Sequence, residues 1–148
     1  MTTRYLLAID PGEVHTGFAL FRADVGNDRP WVWKLRDAWT IDGRELAEDR
    51  IVEMLHDLPV EQVVIEEFRI YPGQNTWSEV QTAWLIGVVL HHCRRLGIPI
   101  KRQKAAVKKP TFAILRSRGT PLRGDTQHAK DAEAHGWFWI SNRGTNDG

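Results

Sequence analysis

A single cysteine, Cys93, stands in a chain of 148 residues. It can close no internal disulfide, so stability must come from a packed core and nothing calls for an oxidising compartment. Long apolar runs are missing as well. The nearest, residues 82–93, carries two histidines and falls short of the ~18 residues that span a bilayer. The first apolar run, residues 5–9, is only strand-length, which does not fit a secretory leader. Secreted, membrane-spanning and disulfide-scaffold classes are thereby set aside, and a cytoplasmic protein is expected. Net charge is nearly absent too, since twenty Lys and Arg against nineteen Asp and Glu leave +1. Hydrophobic residues at 42% and charged residues at 26% exclude a disordered chain. The length suits one domain. It is expected over residues 1–140, with 141–148 as a disordered tail.

The neutral total conceals a polarised distribution. Residues 94–130 hold eleven Lys and Arg and one acid, Asp125, a net of +10. The remainder holds nine basic and eighteen acidic residues, a net of −9. A solvated basic helix face would account for a short run. A stretch this long, with one acid, is equally the electrostatic footprint of a protein that neutralises phosphates.

Hydrophobic periodicity orders the elements. Residues 4–10 read as a buried strand stopped by Pro11-Gly12, and 16–22 as its hairpin partner. In 31–41, Trp31, Trp33, Leu35, Trp39 and Ile41 fall on one face at period two, interrupted by Asp37. Seven tryptophans are many for this length, and those on this strand fit sheet-to-helix packing. An amphipathic helix is expected over 43–57, with Leu46, Ile51, Met54 and Leu55 inward. A strand follows at 62–68, then a long helix at 76–96 capped by Asn75 or Thr76 and stopped by Gly97. Residues 98–102 form a fifth strand, 103–117 a helix apart from Pro110, and 126–140 a last helix capped by Asp125. Three strands, then alternating helices and strands, predict an α/β fold with a mixed five-stranded sheet flanked by helices.

Acids fall where such folds collect chemistry. Asp10 ends the first strand and Glu66 and Glu67 end the fourth; sites form beyond the carboxyl ends of parallel strands. Neighbouring strand residues face opposite sides, so only one of the two glutamates can share Asp10's side. On the last helix His128 and Asp131 are three apart on one face, with His135 a further turn on as a packing or supporting residue. Three carboxylates and an imidazole repel one another unless a cation lies between them, and oxygen-rich ligation suits Mg²⁺ or Mn²⁺. Two such ions are a known device for phosphodiester cleavage. His91, His92 and Cys93 make no zinc site, because adjacent helix residues diverge by ~100°.

The segments LLAIDPGEVHTGFAL, VVIEEF and HAKDAEAH together resemble the three motifs of RuvC-like Holliday-junction resolvases, within the ribonuclease H-like superfamily. AAVKK resembles the basic segment before the closing helix, with Lys108 at its lysine, and TF…LRSRG…HAKDA is most like short, phage-type members. The resemblance implies a ribonuclease H-like fold and a homodimer acting on branched DNA. It implies two Mg²⁺ ions, replaceable by Mn²⁺, at Asp10, Glu66, His128 and Asp131, and favours Glu66 over Glu67. It also implies paired incisions leaving 5′-phosphate and 3′-hydroxyl ends. A ligating His128 must be neutral, so activity is expected to fall as pH drops through its titration.

Lys101, Arg102, Lys104, Lys108, Lys109, Arg116 and Arg118 are expected to meet backbone phosphates. Phe68 and Tyr71 follow the second acid where the family can place an aromatic on an unpaired base, and core packing suits Phe68 equally. The apolar helix carrying Trp77, Trp84, Leu85, Val88 and Val89 fits either a core or a dimer face. An actin-like kinase or ATPase would need a second subdomain and a second glycine-rich loop, and both are missing. Walker A and HExxH motifs are absent. The expected function is a metal-dependent, structure-selective junction endonuclease. A broader nuclease of forks, flaps and Y-junctions is the alternative.

Overall fold

The computed structural model describes residues 2–12, 14–26, 31–68 and 77–143. Three strands open the chain, β1 (Thr2–Asp10), β2 (His15–Val25) and β3 (Trp33–Asp42), followed by α1 (Arg44–Asp57), β4 (Val60–Glu66) and α2 (Trp77–Leu96). Then come β5 (Ile100–Gln103), a 3₁₀ turn (Ala105–Val107), α3 (Lys108–Ser117) and α4 (Gln127–Asn142). The element order is the one expected. The sheet order is β3-β2-β1-β4-β5, antiparallel from β3 to β1 and parallel from β1 to β5.

Strand alternation sorts the core into two layers. Leu7, Ile9, Val63 and Ile65 pack against Ala47, Ile51, Met54 and Leu55 of α1 and against Leu85, Val89 and Cys93 of α2. Leu6, Ala8, Ala19, Phe21 and Val64 face the other way, onto Ala132 of α4. Asp10 and Glu66 continue the even-numbered series of their strands, so both carboxylates project on the α4 side. Glycine and alanine let α4 lie close: a methyl on Gly136 would come within 2.1 Å of the Phe21 ring.

Several local expectations are corrected. The tryptophans of β3 do not share a face, because Leu20 pairs with Asp37 while Phe21 pairs with Leu35. Arg36 is thus an extra residue, a bulge that inverts the alternation. Trp33 and Leu35 join the α4 layer, whereas Trp39 and Ile41 join the α1–α2 layer. On α1, Leu46 is 64% exposed and Ala47 takes the buried position. Strand β4 ends at Glu66, so Glu67 and half-buried Phe68 lie beyond it. The cap of α4 is Thr126, whose hydroxyl accepts from the Ala129 N–H at 3.1 Å, and Asp125 is exposed. That helix runs on to Asn142, past the boundary expected at Ile140. The caps expected at Asn75 or Thr76, Tyr71, and the tail from 144 lie outside the described residues.

One buried acid serves the architecture alone. Glu133 on α4 is fully buried and its two carboxylate oxygens accept the backbone N–H groups of Arg123 and Gly124, both at 2.8 Å. These bonds hold the turn that delivers the chain into α4. A hydrogen bond to a charged group contributes ~1.5–3 kcal/mol net, and stranded N–H groups cost more. Glu133→Ala is therefore expected to lower unfolding free energy by about 3 kcal/mol in urea titration, with Glu133→Gln recovering part of it. A loss below ~1 kcal/mol would mean the turn is held by other contacts.

Candidate active site

The site begins with strand register. Ala8 pairs with Val64 and Ile9 with Ile65, which sets Asp10 beside Glu66 at the ends of two neighbouring parallel strands. The Pro-Gly turn after Asp10 is tied to α2 by the Thr82 hydroxyl, which donates to the Gly12 carbonyl at 3.2 Å. From above, α4 brings His128 and Asp131. His128 Nδ1 stands 3.0 Å from Asp10 Oδ2. Lys108, at the first residue of α3, reaches in from the side. Its Nζ lies 3.2 Å from Glu66 Oε2 and 3.2 Å from Asp131 Oδ2.

A second ring of side chains fixes the first. His135 is fully buried; its Nε2 lies 3.0 Å from Glu66 Oε2 and its Nδ1 2.8 Å from Gln103 Oε1 at the end of β5. Gln127 donates to Asp131 Oδ1 at 2.7 Å. His15, paired through Nδ1 with Asp42, places its ring centroid 6.0 Å from that of His128.

The charges are unevenly compensated. Burial, then the hydrogen bond and charge of neighbouring Glu66, raise the Asp10 carboxyl to about 9, so it holds a proton at neutral pH. Burial would raise Glu66 as well, but bonds from His135 and Asp10 and the charge of Lys108 outweigh it and hold Glu66 below the usual range. For Lys108, burial acts to lower the ammonium, and the charges of Glu66 and Asp131 more than reverse this. Two carboxylates thus lean on one ammonium while the third keeps a proton.

The structure therefore brings together all four residues expected at the centre, Asp10, Glu66, His128 and Asp131. Of the two glutamates, Glu66 is the one beside Asp10; Glu67 lies past the strand, its N–H bonded to the Gln103 carbonyl. Among the described residues no three His, Cys, Asp or Glu side chains surround one point as a ready ligand cage. Glu66 and Asp131 are drawn instead to Lys108, which was expected on the phosphate-facing surface. Its spacing in AAVKK carried no hint of this, since the 3₁₀ turn that aims it is a tertiary feature. His135 was expected as packing or support and contacts Glu66 directly, and it lies four residues from Asp131, one helical turn along the same face. Gln103 and Gln127 gave no signal in the sequence. Lys101, Arg102, Lys104, Lys109, Arg116 and Arg118 are all exposed. Of these, Lys101 and Arg102 lie on edge strand β5, where charge also discourages strand addition.

No family model and no curated protein matches the chain by sequence. Solved structures match by shape. RuvC of Thermus thermophilus superposes with a TM-score of 0.69 at 18% identity, over 95% of this chain and 96% of that one. The same protein in complex with a Holliday-junction substrate gives 0.72 at 18%, over 96% of each. Fowlpox virus resolvase, also in complex with Holliday-junction DNA, gives 0.62 at 10%, over 93% of this chain and 99% of that one. At these identities the likeness establishes architecture, and the chain has the α/β fold of the RuvC-like resolvases, a mixed five-stranded sheet flanked by helices.

Proposed function

We propose that the chain is a metal-dependent, structure-selective DNA endonuclease that resolves four-way junctions by paired incisions, leaving 5′-phosphate and 3′-hydroxyl ends. One observation carries the reading: Asp10, Glu66 and Asp131 meet beyond the C-terminal ends of two adjacent parallel strands, with His128 and Lys108 as partners. The basic residues of β5 and α3 beside them supply affinity for phosphates without sequence readout. Fold neighbours that hold Holliday-junction DNA support the substrate class.

The donor set suits Mg²⁺ or Mn²⁺, being three carboxylates and one imidazole with a deficit of positive charge that leaves Asp10 protonated. Asp10, Glu66, Asp131 and His128 would hold two such ions, which when bound supply Lewis acidity and lower the pKa of a coordinated water. The protein's own part is positioning and charge. His135 orients Glu66, Gln127 orients Asp131, and Lys108 offers an ammonium to the phosphate at the cleaved bond. A homodimer would place two such sites on the two strands to be cut. Its interface is assigned to the outer face of α2, where Trp77 is 68%, Val80 41% and Trp84 51% exposed.

The test is cleavage of a labelled four-way junction, a Y-fork and a plain duplex, each with Mg²⁺, Mn²⁺ or EDTA. Symmetric nicks confined to the four-way junction are expected. Comparable cutting of forks would point to a broader branched-DNA nuclease with the same chemistry, and no metal-dependent cutting would sink the proposal. Lys108→Met is expected to lower kcat by about 10²-fold, the usual cost of one preorganised donor, with junction affinity almost unchanged. If affinity and its salt slope fall and kcat does not, Lys108 is a phosphate clamp outside the chemistry.

A further inference from the structure

We infer that a pocket between α3 and α4, next to the acid cluster, receives one unpaired nucleotide of the DNA; this deepens the nuclease reading and rests on it. The cavity measures about 430 Å³, within the ~300–1,000 Å³ of small-molecule sites. Phe112, Leu115 and Leu122 give it an apolar lining, and Arg116 and Lys130 add two cations to that lining. No acid lines it. Among the described residues neither cation has a carboxylate partner, so both are available to an anion. Gln127 lines the pocket and also donates to Asp131, so the pocket and the acid cluster have this residue in common.

Those features match one ligand chemistry. An apolar lining with an aromatic ring takes a base face, and two cations in the same pocket take the phosphate that travels with the base. A paired duplex offers its phosphates while its base faces stay stacked inside, so the apolar lining would go unused. A nucleotide unpaired at a branch point offers both, and extruding it costs least where pairing is already interrupted. The apolar lining reads a ring face that every base has, so the pocket selects unpaired over paired DNA more than it selects sequence. A nucleotide seated there is linked to Asp131 through Gln127, which fixes where along the strand the incision falls.

The experiment uses the full chain, in EDTA so that the strand stays intact, on four-way junctions carrying 5-iododeoxyuridine at single positions around the branch point. Irradiation is expected to crosslink one of these positions to Phe112, identified by peptide mapping. Phe112→Leu keeps the apolar volume and loses the ring; it should abolish that crosslink and weaken junction binding about 5- to 100-fold. The Arg116→Ala/Lys130→Ala double variant should reduce the slope of log affinity against log salt by about 2. A junction that binds normally but crosslinks only elsewhere, with both variants binding as the parent does, would overturn the pocket and leave the nuclease reading intact. Wild-type protein that does not bind the junction at all would overturn both.

Discussion

Asp10→Asn is expected to reduce cleavage by at least ~10³-fold while leaving junction binding intact and making the metal-free protein more stable. The loss follows if Asp10 belongs to the proposed donor set, where a neutral amide cannot replace a carboxylate; metal-ion stabilisation of the reacting charge is worth several kcal/mol. Binding persists because the basic residues of β5 and α3 are untouched. The gain in stability is the less obvious part. Asp10 is 5% exposed, and its carboxyl is raised to about 9 by burial and by neighbouring Glu66. The folded chain therefore keeps a proton that the unfolded chain releases near pH 4. Between those limits the native state binds more protons than the unfolded state, so stability must fall as pH rises through the window. An amide at position 10 removes the titration. The advantage of Asp10→Asn in thermal midpoint should thus be negligible near pH 4 and grow to on the order of 5 °C by pH 8. Glu66, whose carboxyl is lowered, loses its contribution only below the usual glutamate range and does not disturb that window. Adding Mg²⁺ should raise the midpoint of the parent protein and leave the variant unmoved, since a ligand stabilises only the state that binds it. Equal midpoints at pH 8, or equal cleavage, would remove Asp10 from the centre of the site.

Asp10 also shows how much of this protein is legible in its sequence. An uninterrupted apolar run ending in an acid and a Pro-Gly turn identifies both the strand and the strand end, whereas the fourth strand, with no such turn after Glu66, is legible as a strand but is expected to run on to Phe68. Period two allows only one of Glu66 and Glu67 on the side of Asp10, and the resemblance to the family motif is what selects Glu66. His128 and Asp131 are legible from helical spacing alone. What fails is whatever depends on a neighbour. The bulge at Arg36 is a property of the β2–β3 pairing and splits a tryptophan row that looks continuous in one dimension. Leu46 reads as an inward residue by its apolarity, yet the face of α1 that meets the sheet is set by Ala47, Ile51, Met54 and Leu55. Lys108 is the most consequential case. In sequence it is one of a pair of lysines in a basic stretch; the two adjacent positions on α3 diverge by ~100°, and Lys108 meets Glu66 and Asp131 while Lys109 stays exposed.

Gly17→Ala tests the remaining link, from packing to chemistry. Gly17 pairs with Asp10 across β1 and β2, and the first turn of α4 rests directly on it. A Cβ there would lie 2.0 Å from the His128 carbonyl oxygen and 2.2 Å from its carbonyl carbon. Both obstructing atoms are backbone, so no side chain can rotate away and the helix itself must move. Restoring ordinary contact requires a displacement of about 1 Å or more, because the interior is packed at crystal-like density with no slack to absorb it. The displaced turn carries His128 and leads directly to Asp131, while Asp10 and Glu66 remain fixed in the sheet. A shift of ~1 Å between reacting groups can cost 10²-fold in rate, and overpacking costs ~1–3 kcal/mol in stability. Cleavage by Gly17→Ala is accordingly expected to fall about 10²-fold, assayed well below a thermal midpoint that itself drops by several degrees. Far-UV circular dichroism at the assay temperature separates the two effects, since a folded but slow enzyme is the expected result. Full activity in a folded Gly17→Ala protein would mean that the helix carrying His128 and Asp131 can slide over the sheet without disturbing the site, and the four residues would then not act as one rigid centre.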